Sequence, residues 1–260
     1  MDLREFLKLL KEGKIGIEEA TAKLRLSAVR EVEGACLDVS REARKDVPEM
    51  VLAEGKSLED LLRITKAYYA ETGHIIITRI NDAQASEIKK TFRGKANILH
   101  SKKGRIMVVK SASRAKEDTE KAGAVALLTA GTADISVAEE ARIVMEEMGC
   151  HILTFYDIGI AGMHRLFPAI KKSLEADVDA IVVVAGMEGA LPSIVSSLVG
   201  VPVIGIPSSA GYGVGGKGEG ALISMLQSCS AGLVVVNIDN GVGAAVAAAL
   251  ISKRVRNSRK

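Results

Sequence analysis

Five short apolar runs recur through the second half of the chain: GAVALLTAG (123–131), CHILTFYD (150–157), DAIVVVAG (179–186), VPVIGIP (201–207) and GLVVVNI (232–238). They are too short for buried helices and rich in β-branched residues, which is the pattern of strands covered on both faces. Helical stretches separate and follow them, at 136–148, 162–176, 191–198, 219–227 and 242 to about 251. Strand–helix alternation at this spacing requires parallel βαβ units with right-handed crossovers, and hence a three-layer α/β domain. In such a sheet a ligand binds beyond the carboxyl ends of the strands.

The first half reads differently. Helices are expected at 3–11 and 17–33. Ser57 with Asp60 three residues on resembles a capping box and starts a helix that runs to about residue 71, where Gly73 stops it. A strand at 74–80, a helix at 82–91 and two strands at 96–100 and 105–110 around the turn SKKG complete a smaller α/β domain. The lysines and arginines crowd into this half, and the charge falls away after Lys121. The expected division is therefore an N-terminal α/β domain over 1–120, ending in a charged connector at 115–121, a C-terminal domain over 121–255, and a basic, solvated tail at 256–260.

Bulk properties exclude several classes. A net charge of +3, aromatics at 3% and no Trp leave no stacking platform for single strands, so no nucleic acid partner is expected. No apolar run approaches the roughly 20 residues that span a bilayer, and the charged opening residues lack the pattern of a signal peptide. The three cysteines are widely spaced and odd in number, which suits a reducing compartment; a cytoplasmic location is expected. Cys36 and Cys150 read as packing residues.

The loops after the five strands carry the candidate chemistry. They are GTAD (131–134), DIGIAGMHR (157–165), AGMEGALP (185–192), PSSAGYGVGGKGEG (207–220) and NIDNGVG (237–243). Glycines bring backbone N–H groups close to a ligand, and helix N-termini add partial positive charge, so the shared ligand is expected to be a phosphate. The candidate contacts are Thr132, Asp134, Asp157, Gly159, Arg165, Gly186, Gly189, Ser208, Ser209, Gly216 and Lys217. The run GYGVGGK (211–217) fits most of a P-loop, but Gly218 stands where that motif needs Ser or Thr for magnesium. His164 precedes Arg165 and reads either as a solvent-facing histidine or as a proton-transfer group. Glu188 lies between Gly186 and Gly189, where no packing demand explains a carboxylate. Cys229 follows a helix and reads either as a small apolar filler or as a nucleophile; a helix C-terminus opposes the thiolate, so catalysis needs positive charge from elsewhere.

At these loops the sequence resembles the aminoimidazole ribonucleotide carboxylases. GTAD, AGMHR, VVAGMEGALP, GVPVIGIP and ISMLQSCSAGLVVVNIDNGVGAAVAAALI follow that family's motifs in order over most of residues 123–251. The resemblance implies a flavodoxin-like, aminoimidazole ribonucleotide carboxylase-type domain, with His164 and Arg165 on the family's proton-transfer and phosphate-binding pair. Glu188, Gly189, Ala190, Cys229 and Ser230 depart from it: Ala190 replaces a histidine, and Cys229–Ser230 replaces Met-Pro. With those changes and PEMVLAEGKS (48–57), the chain resembles more closely the carboxylases of nickel-pincer nucleotide biosynthesis, the pyridinium-3,5-biscarboxylic acid mononucleotide synthases, although Asp46 stands where their pattern has glycine.

That second resemblance implies carboxylation of the pyridinium ring of nicotinic acid adenine dinucleotide, with CO2 or bicarbonate as co-substrate, Mg2+ as cofactor, and hydrolysis of the phosphoanhydride to release AMP. It places Cys229 as the thiol that adds to the ring and Glu188 as the group that removes the ring proton or binds magnesium. It also implies a homo-octamer built through the C-terminal domain. The other readings are a purine-pathway carboxylase or mutase working through His164, and a non-catalytic nucleotide-binding regulator; neither needs Cys229 or Glu188.

Overall fold

The computed structural model describes residues 8–21, 30–32, 35–114 and 122–258. The connector expected at 115–121 and the first part, 3–7, of the helix expected at 3–11 lie outside them. Helical turns occur at 8–11 and 17–21.

The second half folds around a five-stranded sheet whose strands are all parallel. β7 (Ala124–Thr129) lies between β8 (His151–Phe155) and β9 (Ala180–Ala185), and β10 (Val203–Pro207) and β11 (Leu233–Val235) follow outward. The order β8-β7-β9-β10-β11 is that of a flavodoxin-like sheet, with its topological switch point between β7 and β8 on one side and β9 on the other. β9 and β10 are buried along their whole length and β7 over all but its first residue, whereas the edge strand β8 leaves His151 and Thr154 exposed. The expectation of burial on both faces therefore holds for the centre of the sheet and not for its edges.

Helices cover both faces. α4 (Ile135–Glu147) and α8 (Gly241–Ser258) pack on one, while α5 (Leu166–Glu175), α6 (Ala190–Leu198) and α7 (Glu219–Leu226) pack on the other. Two boundaries differ from the sequence expectation. The stretch 160–165 is 3-10 helix kinked at Gly162 (φ −134°, ψ 61°), and α5 begins only at Leu166. α8 continues through Ser258, so residues 256–258, expected in a solvated tail, are its last turn; there Arg256 donates to the carbonyl of Ala122 at 2.8 Å.

The first half builds a four-stranded mixed sheet in the order β3-β4-β6-β5, from β3 (Met50–Leu52), β4 (His74–Thr78), β5 (Asn97–Ser101) and β6 (Ile106–Lys110). α2 (Leu58–Thr72) starts at the expected Ser57, whose hydroxyl accepts from the N–H of Asp60, and ends at Gly73. α3 (Asp82–Phe92) opens on a reciprocal capping box between Asn81 and Gln84. The helix expected over 17–33 is corrected at its end: Arg30–Val32 is strand β1, paired antiparallel with β2 (Ala35–Leu37), and a short α1 (Arg41–Lys45) follows. A three-residue strand such as REV is too short to show alternation, so the helical reading ran through it.

Glu147 at the end of α4 joins the two sheets. It accepts from Lys110 Nζ at 2.6 Å and lies 3.0 Å from His74 Nε2, with all three side chains largely buried. Burial alone would raise its pKa, but hydrogen bonds from His74 and Lys110 hold the carboxyl below the ordinary glutamate range. A second buried tie closes the C-terminal domain: Ser252 Oγ donates to Asp179 Oδ2 at 2.6 Å and accepts from the N–H of Gly123 at 2.8 Å. Ser252→Ala strands both partners in the interior, so it should cost about 1–3 kcal/mol of stability. Urea denaturation checks this, and an unchanged midpoint would show that the network contributes nothing.

Candidate active site

A cavity of about 330 Å³ opens at the carboxyl ends of β7, β9 and β10, with the loop after β8 along one wall. Its lining is mostly backbone and small side chains: Gly131 and Asp134 from the first loop, Gly159 and Ile160 from the second, Gly186 and Glu188 from the third, and Gly211 and Tyr212 from the fourth. Small residues are required here because the loops touch. A Cβ on Gly159 would sit 2.6 Å from the carbonyl oxygen of Ala130, and Gly189 takes a left-handed φ of 61° with Ala221 Cα only 2.8 Å from where its Cβ would be. The turn Gly186–Gly189 is closed by the N–H of Gly189 donating to Gly186, which projects Met187 and Glu188 to the rim.

Asp134 organises these loops. It is 4% exposed; its Oδ2 accepts from the N–H of Gly131 at 2.8 Å, and its carboxyl also accepts from Ser208 and from the backbone of Gly186. Burial is the largest influence on its pKa and pushes it up, against those three donors. One carboxyl group thus binds the loops after β7, β9 and β10 into a single wall.

A second cavity of about 280 Å³ shares Ala133 and Ala210 with the first and lies between the two sheets. Ser136 and Glu140 of α4, Ser208 and Ser209 after β10, and Asp239 after β11 form its floor; Glu54, Arg79 and Arg105 of the N-terminal half close it. Arg79 donates to Glu54 at 3.1 Å and to the backbone carbonyl of Asp239 at 3.1 Å, and Arg105 donates to the other oxygen of Glu54 at 3.4 Å. Asp239 Oδ1 accepts from the N–H of Ser209. Arg79, Arg105 and Asp239 all have positive φ, near 50°, where non-glycine residues are uncommon and cluster at functional sites. Glu140 is 5% exposed, and burial pushes its pKa up to about 7 despite the neighbouring arginines.

Of the residues singled out in the sequence, the structure brings Asp134, Gly159, Gly186 and Glu188 into the first cavity and Ser208 and Ser209 into the second. Gly189 supports the turn from behind. Thr132, Asp157, His164, Arg165, Gly216 and Lys217 line neither cavity. Arg165 Nη1 instead binds Asp157 Oδ2 at 2.8 Å on the exposed flank after β8, and His164 beside it is exposed. Lys217 is exposed in the glycine-rich loop, at a left-handed φ of 59°.

Cys229 does not meet Glu188 within one chain. α7 runs back against the direction of the strands, so the residues after it reach the opposite end of the sheet. Gly232 there pairs with Val203 at the start of β10, and Ser230 accepts from Ser196 in the last turns of α6. Cys229 is exposed in this turn. Cys150 is buried, and burial drives its thiol pKa up to about 12, in keeping with a packing role; Cys36 is exposed rather than packed. Sequence reasoning missed Arg79, Arg105 and Glu140, each unremarkable in its own segment, and it singled out the loop 237–243 without naming Asp239 in it.

Two family models match the chain: the LarB/PurE-like N-terminal domain over residues 29–112 and AIR carboxylase over residues 124–258. An uncharacterized protein of Methanocaldococcus jannaschii is 43% identical over 255 residues, which is 97% of each chain. The N5-carboxyaminoimidazole ribonucleotide mutase of the same organism is 32% identical over 129 residues, 48% of this chain and 75% of that one. The mutase of Pyrococcus horikoshii is also 32% identical over 129 residues, covering 69% of its length.

Glu140 makes stability depend on pH. A glutamate in the unfolded chain releases its proton near pH 4.3, whereas Glu140 in the folded chain holds it to about 7. The folded state binds the extra proton between those values, so Glu140 lowers stability as pH rises through that window, and the loss is complete above it. Glu140→Gln should therefore stabilise the protein at pH 8 by on the order of 3 kcal/mol and several-fold less at pH 5. Urea midpoints at the two pH values check this; equal shifts at both would contradict it.

Proposed function

The chain belongs to the AIR carboxylase family, and from that premise we propose that it carboxylates the pyridinium ring of nicotinic acid adenine dinucleotide and hydrolyses its phosphoanhydride, giving pyridinium-3,5-biscarboxylic acid mononucleotide and AMP. The observation that carries this reading is the set of titratable groups on the cleft wall. Among the described residues they are Asp134, Glu188 and Tyr212, and no histidine lines the cavity. Asp134 is committed to holding the loops, so Glu188 is the group at the rim that can take a proton. A purine-type reaction through His164 needs that exposed side chain to leave its position beyond the wall. A match to a LarB/PurE-like N-terminal domain accompanies the carboxylase-like half, which fits an activity distinct from that of the mutases, whose similarity spans only 48% of this chain.

The chemistry asks for a nucleophile as well as a base. A pyridinium ring is too electron-poor to attack CO2. Addition of the Cys229 thiolate forms a C–S bond and turns the ring into a neutral dihydropyridine, whose C5 is an enamine carbon. The C5 electron pair forms the new bond to CO2, and Glu188 accepts the C5 proton. Expulsion of the thiolate with its bonding pair then restores the aromatic cation. The ring's own positive charge favours the thiolate. Water completes the reaction by cleaving the phosphoanhydride. No group of three or more His, Cys, Asp or Glu side chains that could hold a metal ion occurs among the described residues, and no step is assigned to one. Mg2+ is proposed to travel with the substrate's phosphates.

Because Cys229 lies at the far end of its own sheet, this reading places it in the cleft of a second copy, within the homo-octamer proposed for the C-terminal domain. That requirement is testable by complementation. Cys229→Ser and Glu188→Gln should each reduce carboxylation by on the order of 10³ or more. Co-expressing the two variants, so that subunits mix, should restore activity to a sizeable fraction of wild type, since some sites receive an intact thiol from one subunit and an intact carboxylate from the other. Activity near normal in Cys229→Ser alone would remove the thiol from the mechanism, and inactive mixed oligomers would remove its placement in trans.

A further inference from the structure

The cavity between the two sheets is not used by the chemistry above, yet it is built like a binding site. Glu140 is 95% removed from solvent by its 5% exposure, makes no hydrogen bond or ion pair with the described residues, and lines the cavity floor. The groups facing it are Arg79, Arg105 and Glu54 from the N-terminal half and Asp239 from the loop after β11. A buried carboxyl left without a protein partner signals a group that it meets on binding. Three of the surrounding residues hold left-handed backbone conformations, a cost that the fold retains at this place.

Cations and acids alternate around this cavity. Two guanidiniums at its lip match the geometry of a phosphate, while Asp239, Glu140 and the hydroxyls of Ser208 and Ser209 offer partners to sugar hydroxyls. The two cavities share Ala133 and Ala210 in their linings, so a ligand that reaches past these two residues would lie in both.

We propose that the cavity between the sheets is a second nucleotide subsite, which takes the nucleoside monophosphate half of the dinucleotide that does not react, with Arg79 and Arg105 on its phosphate and Glu140 and Asp239 on its ribose. This rests on the dinucleotide reading above and deepens it: the N-terminal domain is the part of the protein that distinguishes a dinucleotide from a mononucleotide. Burial keeps Glu140 protonated to about neutral pH, so its carboxyl can both donate and accept there without repelling the phosphate.

The test measures binding of AMP and of nicotinic acid mononucleotide by calorimetry to the full-length protein and to Arg79→Gln and Arg105→Gln, with circular dichroism confirming that each variant is folded. Arg105→Lys, which keeps the charge and loses the bidentate fork, guards against a variant that fails to fold. AMP should bind the wild type, its dissociation constant should rise tenfold or more in the glutamine variants and less in the lysine variant, and mononucleotide binding should stay within about twofold. AMP binding that is absent from the wild type, or indifferent to all three substitutions, would overturn the subsite even if the dinucleotide is carboxylated. Arginine-dependent AMP binding in a protein that carboxylates no pyridinium would leave the subsite standing and overturn the reaction.

Discussion

Asp134 is the constraint on which the functional end of the molecule depends. A parallel sheet delivers its loops to one edge but does not fix them against each other. Here a carboxyl buried at the switch point accepts hydrogen bonds from Gly131, Gly186 and Ser208, which belong to the loops after three different strands. The tight turn at Gly186–Gly189 and the close approach of Gly159 to Ala130 follow from that closure, and both cavities use its walls. Losing the acceptor would release three glycine-rich loops together.

α4 transmits the same order to the N-terminal half. It begins beside Asp134, carries Ser136 and Glu140 along the second cavity, and ends at Glu147 between His74 and Lys110. Ser136 Oγ also donates to the carbonyl of Lys103 in the turn between β5 and β6. With α4 tied near both ends to the N-terminal half, Arg79 and Arg105 stand over the cavity that α4 lines. The joint between the sheets therefore forms the walls of the second cavity.

The sequence made the C-terminal sheet legible because central parallel strands must be continuously apolar, and runs such as AIVVVA have no other use. It concealed the β1–β2 pair, whose strands are three residues long, and the full length of α8, whose last turn is charged and lacks an apolar stripe. In the site, Asp134, Gly159, Gly186, Glu188, Ser208 and Ser209 could be found because glycine-rich loops after strands mark backbone that approaches a ligand. Arg79, Arg105 and Glu140 could not, since each sits at the end of a strand or inside a helix and acquires meaning only when two distant segments meet. Cys229 was visible as a candidate thiol but not as geometry: helix α7 reverses the chain direction, so a residue one helix beyond the cleft's glycine loop ends at the far side of the sheet. His164 and Arg165 illustrate the converse, a motif clear in sequence whose side chains face outward in one chain.

The central claim is the identity of the reaction, and isotope tracing reads it most directly. The protein is incubated with nicotinic acid adenine dinucleotide, 13C-bicarbonate and Mg2+, and the products are resolved by mass spectrometry, with aminoimidazole ribonucleotide in a parallel reaction. The expected result is a dicarboxylated pyridinium mononucleotide carrying one 13C, formed together with an equal amount of AMP, and no label in the imidazole. Label entering aminoimidazole ribonucleotide, with the dinucleotide returned unchanged, would contradict the account.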